Sequence, residues 1–269
     1  MDNCTVFVSS SDRYSDLWDI FFDLFQKYWP EYHGEIVLNT QEKEYSHQGL
    51  NIRCTKVGKL KGFGATFRAG LGTIDTDNVL VFMIDYIFMG KVDNAKIEEY
   101  YKYFVNHEMD TLCLSKLPFT NYKVSDNIDL LIPKRPYPVS ILFGYQIAFW
   151  KKSTLYQMML PHEDPWMSEW YGSKRAEVMN ISVAYLSDSR LKPIVYNAAG
   201  CIHQGLWLDD AVKFLNTSYD KKVDFSIRGY YKENPIYNSL SFRFKLKLNI
   251  WKTGLMGSYW DLLKRKCLK

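Results

Sequence analysis

Short apolar runs and longer amphipathic stretches alternate along the first hundred residues. Residues 5–9 form a β-branched and aromatic run that is typical of a buried strand, and a polar turn follows over 9–12. From residue 17 to residue 29, apolar side chains recur at helical spacing. The alternation continues, and it predicts strands over 5–9, 35–39 and 78–85 and helices over 17–29, 62–74 and 91–105.

This order of elements predicts an α/β fold, with a mostly parallel sheet and helices on both of its faces. The run over 78–85 is apolar until it ends in Asp85, as expected for a central strand covered on both sides. Ligands bind at the carboxyl ends of the strands in such sheets. We therefore expect the turn over 9–12, Asn39 and Asp85 to lie at that edge. Separately, Asp93 is expected to cap the helix over 91–105.

The second half of the chain has a less regular pattern. Pro133, Pro136 and Pro138 interrupt the chain before an apolar stretch over 139–150. A helix is predicted over 152–160, a short helix or turn over 165–180, and a strand over 193–202. We expect this half to elaborate the first half rather than to form a separable domain.

Composition narrows the class of protein. Of 269 residues, 47% are hydrophobic and 24% are charged, which excludes a disordered tail, a collagen and a coiled coil. Aromatic residues reach 16%; an aromatic core is the favoured interpretation, and stacking on sugars or bases is the alternative.

Five cysteines without a CxxC pair disfavour a disulfide framework or a zinc cluster. The sequence shows no signal-peptide pattern and no apolar run long enough for a membrane span, so we expect a cytoplasmic protein.

Several well-known catalytic motifs are missing from the sequence. It has no GxGxxG and no GxxxxGK[ST], which disfavours a classical dinucleotide site and a P-loop. HExxH and GxSxG are also missing, and the five histidines have no close metal-ligand spacing.

Asp85, at the exit of an apolar strand, is the first candidate for chemistry. A carboxylate at this position can hold a divalent cation that neutralises a diphosphate, because hard cations prefer oxygen ligands. The alternative is that Asp85 only caps the following turn.

The second candidate is the segment 162–173, in which three acids lie among three aromatic residues. An aromatic ring offers a platform for the C–H face of a sugar, and a partly buried carboxylate can deprotonate a hydroxyl group. The alternative is a simple helix start, because Asp164 and Pro165 are typical N-cap and N1 residues. The two interpretations are compatible.

At these positions the sequence resembles nucleotide-sugar glycosyltransferases of the GT-A type that build bacterial cell-surface polysaccharides. The resemblance rests on the first strand with its serine-rich turn, on Asp85-Tyr86, and on Pro165-Trp166-x-x-Glu169 followed by Gly-Ser. The stretches 145–151 and 197–207 add to it, so that it spans roughly residues 4–215.

The resemblance implies roles for individual residues. Glu169 would be the catalytic base, and Asp85 would replace the metal-binding acidic motif and take part in nucleotide binding. The family commonly has two acids at the strand exit where this chain has one. Either another ligand, with His203 as the candidate, completes a Mg²⁺ or Mn²⁺ site, or the enzyme uses less metal or none. Ser9, Ser10, Tyr14 and Asn39 would face the base and ribose, Arg68 the diphosphate, and Gln146, Asp164 and Trp166 the acceptor or sugar pocket.

The function that the resemblance implies is transfer of a hexosyl group, with inversion, from a UDP-sugar or related donor to a cell-surface glycan or lipid-linked acceptor. The expected domain covers 1–240, with a nucleotide-sugar half over 1–110 and an acceptor half over 111–240. A catalytically degenerate sugar- or nucleotide-binding protein is the first alternative, because of the single acid. A nucleic-acid-binding protein is the second, but the first 240 residues have a net charge of −3.

Residues 241–269 contrast with the rest, since they carry eight basic residues and one acid, a net charge of +7. Apolar and basic residues alternate over 242–251, and aromatic and aliphatic residues precede the basic run 264–266. Such a segment suits the surface of an anionic membrane, which predicts peripheral association at its inner face. The alternative is a terminal helix that packs on the body by its apolar side.

Overall fold

The computed structural model describes residues 1–60, 62–116, 122–127, 129–135, 142–232, 248 and 257–267. Within these ranges, nine strands form one sheet, and a separate hairpin follows. The sheet strands are β1 (Cys4–Ser9), β2 (Glu35–Leu38), β3 (Asn51–Cys54), β4 (Asn78–Met83), β5 (Thr111–Lys116), β6 (Tyr122–Val124), β7 (Leu130–Pro133), β8 (Ala148–Lys151) and β9 (Val183–Leu186), and the hairpin is β10 (Ile202–His203) and β11 (Leu206–Trp207).

Helices cover both faces of the sheet. They are α1 (Trp18–Tyr28), α2 (Phe63–Leu71), α3 (Asn94–Asn106), α4 (Lys152–Met158), α5 (Pro165–Met179), α6 (Asp209–Ser218) and α7 (Ser258–Cys267), with short 3-10 helices at Asp12–Leu17, Ser189–Leu191 and Phe225–Ile227. None of these described helices is long and apolar enough to cross a membrane.

The strand order in the sheet is β3-β2-β1-β4-β8-β5-β9-β7-β6. Only β7 and β8 run opposite to the other seven strands. This confirms the predicted α/β fold with a mostly parallel sheet. In the register, Val8 lies between Leu38 and Phe82, so the carboxyl ends of β1, β2 and β4 meet at one edge.

The core has one layer on each side of the sheet. Alternate residues of β1 and β4 pack under α1 and α3 on one face, and the intervening residues pack under α2, α4 and α5 on the other. Aromatic rings fill much of the first layer; the rings of Phe25 and Phe88, for example, lie 5.1 Å apart. The high aromatic content therefore serves core packing to a large extent.

The two aspartates predicted to cap helices, Asp93 and Asp164, do so in the structure. The Asp93 carboxylate accepts a hydrogen bond from the backbone N–H of Lys96 at 3.0 Å and caps α3. Asp164 caps α5 in the same way, through Met167 N–H at 2.7 Å, with Pro165 at the first helical position. Asn180, in the left-handed conformation, ends α5, so this segment is a helix of four turns rather than the predicted short helix or turn.

The strand predicted over 193–202 is wrong. Residues 193–201 contain no strand and pair instead with the loop that follows β4. The N–H groups of Met89 and Asp93 donate to the carbonyls of Val195 and Pro193, each at 2.8 Å. Ile194 and Tyr196 are buried here without a place in the sheet, whereas Val195 is exposed. The strands β5 and β9, which the pattern did not predict, occupy the sheet positions.

The C-terminal helix α7 packs against α5, and Leu262 is buried between Met167 and Tyr171. For residues 257–267, the structure thus matches the alternative of a terminal helix packed on the body. The alternating stretch 242–251 lies outside the described residues except for residue 248, and so do Pro136, Pro138 and residues 139–141.

Candidate active site

The loops that follow β1 and β4 meet at the carboxyl ends of these two strands, and we call this edge of the sheet the crevice. From β1 the chain moves outward to β2 and β3, and then it returns to β4 on the other side of β1. Such a reversal is the place where open α/β sheets bind ligands, because the loops after the two strands diverge. These loops carry Ser10 and Tyr14 after β1, and Asp85 and Tyr86 after β4.

Asp85 is mostly buried in this crevice. Its backbone carbonyl accepts a hydrogen bond from Cys201 N–H at 2.8 Å, and Gly200 passes so close that a Cβ there would lie 2.5 Å from Asp85 Oδ2. Gly200 also has a φ of +78°, which glycine adopts without strain. Burial raises the pKa of Asp85 to about 6, and the positive charge of Arg228 opposes that rise.

Arg228 is a residue of the crevice that the sequence did not suggest. Its guanidinium binds both carboxylate oxygens of Asp16 at 2.6 Å and lies 4.6 Å from the centre of the Tyr14 ring. The cation thereby fixes Tyr14 beside the first turn. Arg228 belongs to an irregular segment more than 200 residues from Asp16, and no local pattern marks it.

Ser9 and Ser10 differ in their exposure. Ser9 is the last residue of β1 and is buried, with its carbonyl accepting from Ile84 N–H at 3.0 Å. Ser10 Oγ accepts a hydrogen bond from the Trp18 indole N–H at 2.8 Å and lies at the crevice. Of the two predicted nucleotide contacts, Ser10 is the one with its hydroxyl group at the edge.

Asn39 lies at the expected edge, but its side chain points into the protein. It is fully buried, its amide donates to the carbonyl of Thr66 at 3.1 Å, and its amide oxygen accepts from Thr55 at 2.9 Å. These bonds tie β2 to β3 and to α2. The Asn39 side chain therefore has a structural role, and its assignment to the nucleotide site stays a prediction.

Arg68 is also placed away from its predicted role. Its guanidinium donates to the carbonyls of Tyr156 and Met159 and stacks on the Tyr156 ring, with the guanidinium carbon 3.6 Å from the ring centre. It joins α2 to the end of α4. Among the described residues, the arginine whose charge acts on Asp85 is Arg228.

A cavity of about 370 Å³ opens beside the crevice. The sheet forms one wall through alternate residues of β5, β8 and β9, and α5 with the segment 142–146 forms another. The polar and charged side chains that line it are Thr111, Cys113, Ser115, Lys116, Tyr145, Gln146, Glu169, Tyr185, Ser189 and Lys192.

Glu169 is the carboxylate in the wall of this cavity. Burial raises its pKa above the ordinary glutamate value, and a hydrogen bond from the backbone N–H of Tyr145 limits the rise. No ion pair joins Glu169 to a cation within the described part of the chain. A shielded carboxylate of raised pKa that faces an open cavity is suited to take a proton from a hydroxyl group.

Gln146 connects the cavity to the crevice. Its amide N–H₂ donates to the Tyr86 hydroxyl at 3.0 Å and to the Ala198 carbonyl at 3.1 Å, while its oxygen accepts from the Tyr196 hydroxyl at 2.9 Å. Burial raises the pKa of Tyr86, and the charges of Asp85 and Glu169 raise it further. Tyr86 thus lies within the field of both candidate carboxylates.

Two further predicted residues lie at the start of α5. Asp164 caps the helix and does not line the cavity, so its structural interpretation is the observed one. Trp166 is 56% exposed and, three residues before Glu169, shares a helix face with it. Its ring is free to contact a sugar near that face.

The residues present do not fit a protein-held divalent cation. The described ranges contain no group of three or more His, Cys, Asp or Glu side chains placed to hold a metal ion. Asp85 is a single carboxylate with a cation acting on it, and the exposed His203 packs its ring edge-on against Tyr231 at 4.6 Å. Mg²⁺ and Mn²⁺ prefer several oxygen ligands. The metal expectation stays a prediction from sequence.

No family model matches this chain, and no curated protein matches it. Among solved structures, TarS 1–349 of S. aureus in complex with UDP-GlcNAc matches at 12% identity with a TM-score of 0.47, over 69% of this chain and 56% of that chain. The bifunctional IspDF of Campylobacter jejuni matches at 10% identity with a TM-score of 0.42, over 72% and 52%. The chain thus spans little more than half the length of either structure. Likeness at this level carries no functional argument.

Proposed function

We propose that this protein is a glycosyltransferase that moves a sugar from a nucleotide-diphosphate donor, with a UDP-sugar favoured, to an acceptor hydroxyl. The observation that carries the proposal is the position of Glu169. Its pKa is raised and it lines the cavity together with Gln146, whose amide donates to the hydroxyl of Tyr86, the residue that follows Asp85. A base beside a pocket, next to the ligand edge of an α/β sheet, is the arrangement that glycosyl transfer needs.

In the proposed reaction, the acceptor hydroxyl lies in the cavity against Glu169. As its oxygen bonds to the anomeric carbon, Glu169 takes the hydroxyl proton. The bond from the anomeric carbon to the diphosphate oxygen breaks, and the nucleoside diphosphate leaves with the electron pair. Attack from the face opposite the leaving group inverts the anomeric centre.

Side chains of the chain itself can bind the donor. Lys116 and Lys192 line the cavity and place positive charge where a diphosphate would enter. The Tyr14 ring and the Ser10 hydroxyl, at the first turn, would contact the base or ribose. A hexosyl donor and a cell-surface glycan or lipid-linked acceptor are the finer part of the proposal, and they rest on the sequence resemblance.

The test combines binding and turnover. Thermal shifts are measured with UDP, GDP, CDP and CMP, and transfer and donor hydrolysis with the sugar donors of the nucleotide that binds. We expect UDP to stabilise the wild type, and Glu169→Gln to keep that shift while transfer falls by about 10²–10⁴-fold. Glu99→Gln, at an exposed glutamate, is the matched control and should keep full activity.

Three results would contradict the proposal at different points. Transfer at the wild-type rate in Glu169→Gln would remove Glu169 as the base but keep the enzyme class. A shift with UDP without transfer or hydrolysis would favour the degenerate binding protein, for which the single carboxylate at Asp85 is the supporting observation. No shift with any nucleotide would overturn the proposal.

A further inference from the structure

A buried ionic cluster fixes α7 on the body of the protein. Arg175 and Glu163 are fully buried and form two hydrogen bonds, at 2.6 and 3.2 Å. The first residue of α7, Ser258, donates to Glu163 at 2.6 Å and lies 2.9 Å from His162 Nε2. One turn later, Asp261 lies 3.4 Å from Arg175. The helix is thus held in a fixed rotation about its axis.

The remaining inner contacts agree with that rotation. Leu262 is buried against Met167 and Tyr171 of α5. Arg265 pairs with Asp261 at 2.9 Å and donates to the carbonyl of Gln157 at 3.1 Å. The single acidic residue of α7 therefore faces the body, and its charge is balanced there.

The outer face of α7 has the opposite character. Tyr259, Trp260 and Leu263 are 46%, 57% and 36% exposed, and Lys264 and Lys266 are exposed beside them. Large apolar side chains next to ammonium groups that have no ion pair within the described residues suit the boundary between lipid headgroups and acyl chains. We name these five residues the outer α7 face.

We propose that the outer α7 face docks on an anionic lipid bilayer. Trp260, Tyr259 and Leu263 would enter the headgroup region, and the two lysines would bind lipid phosphates. A second copy of this chain is the less suitable occupant, because a symmetric contact would bring four lysines together. The segment 241–269 carries a net charge of +7, which favours the same partner.

This docking would matter for the proposed reaction, but it does not depend on it. The helix α5 carries Glu169 toward the cavity and holds α7 through Arg175. A membrane bound at α7 would bring a lipid-linked acceptor near the same helix. Vesicle binding is measured without any donor, so its failure and a failure of the transferase proposal are separate results.

The experiment is co-sedimentation of the full chain with vesicles of phosphatidylcholine alone or mixed with phosphatidylglycerol, at low and high salt. We expect binding only to the mixed vesicles, weakened by salt. Lys264→Gln with Lys266→Gln should reduce the partition coefficient by about 25-fold, about fivefold for each basic residue. Trp260→Ser should reduce it several-fold at both salt concentrations, because the lost contact is apolar.

Matched controls change exposed residues elsewhere. Lys102→Gln with Lys213→Gln and, separately, Tyr230→Ser should bind vesicles like the wild type. Thermal melts show that each variant is folded. Equal binding by the lysine control and by the Lys264 and Lys266 variant would overturn the proposal, as would wild-type binding by Trp260→Ser. A dimer in solution that Trp260→Ser abolishes, without vesicle binding by the wild type, would assign the face to a second copy.

Discussion

Glu163 and Glu169 are six residues apart, near the start of one helix, yet they belong to two regions with opposite chemistry. At the α5–α7 contact, Glu163 is fully buried and paired with Arg175, and Ser258 donates to it as well. At the cavity, Glu169 is shielded from water but has a backbone N–H as its hydrogen-bond partner and no cation within the described residues. Burial raises the pKa of both carboxyl groups.

The difference separates structure from chemistry. A buried carboxylate that is paired with a cation has a structural role, and removing the cation leaves an uncompensated buried charge. A shielded carboxylate without such a cation keeps its lone pairs for a proton or a ligand. The surroundings of an acid, more than its burial, thus indicate which region can react.

The largest expected effect comes from breaking the buried ion pair at the α5–α7 contact. Arg175→Met leaves Glu163 buried without its cation and removes one of the two arginines that pair with Asp261, so we expect the free energy of unfolding to fall by about 3–5 kcal/mol. Urea unfolding measures it. Arg190→Met removes an arginine that is 88% exposed and paired with Asp188, and it should leave the urea midpoint unchanged. An equal loss in both variants would mean that burial of the pair is not what stabilises the contact.

The second prediction concerns the candidate active site, at Asp85. Its pKa is raised to about 6 in the folded protein and is about 4 in an unfolded chain, so the folded state holds more protons in between. This contribution to stability is present below about pH 4 and is lost as the pH rises through 6.

Asp85→Asn removes that pH-dependent loss. The variant should match the wild type near pH 4 and exceed it by up to about 3 kcal/mol at pH 8, as measured by chemical unfolding across pH. Nucleotide binding should weaken, since functional sites commonly trade stability for activity. A difference that does not change with pH would show that Asp85 keeps an ordinary pKa.

The smallest expected effect is at Asn39, which lies at the sheet edge but has its side chain buried in the protein. Asn39→Ala removes two buried hydrogen bonds, and we expect a loss of about 1–3 kcal/mol in unfolding free energy with an unchanged thermal shift by UDP at saturation. Asn51→Ala, at an exposed position, is the control and should change stability by less than about 0.5 kcal/mol. A lost UDP shift in folded Asn39→Ala would return this residue to the nucleotide site.

Periodicity predicted most of the first half of the fold, because β1, β2 and β4 are continuous apolar runs, but it missed β3, whose residues Asn51–Cys54 alternate with polar side chains. Thus β1, α1, β2, β4 and α3 lie close to their predicted positions. In the second half, β5 and β9 were not predicted, and the loop 193–201, whose composition resembles a strand, pairs with the loop that follows β4. Local sequence cannot tell burial under a loop from burial in a sheet.

The site followed the same division. The sequence placed Asp85 at a strand exit and Glu169 beside Trp166, because strand ends and helix starts leave local signals. It did not predict that Asn39 points inward, because the direction of a side chain just after a strand depends on the local backbone conformation, which the sequence pattern does not fix. Nor did it predict that Arg228 reaches Tyr14, because that contact joins distant parts of the chain.

The position of β8 has a consequence for synthesis on the ribosome. β8 lies between β4 and β5 in the sheet, although it follows both in the chain. Once β4 has been synthesised, 64 residues must still be made before β8 begins at Ala148, which takes about 3–13 s at ordinary elongation rates. During that time, the apolar edge of Asn78–Met83 is an open template for pairing. The nascent chain therefore needs protection from a chaperone at this stage more than after its release.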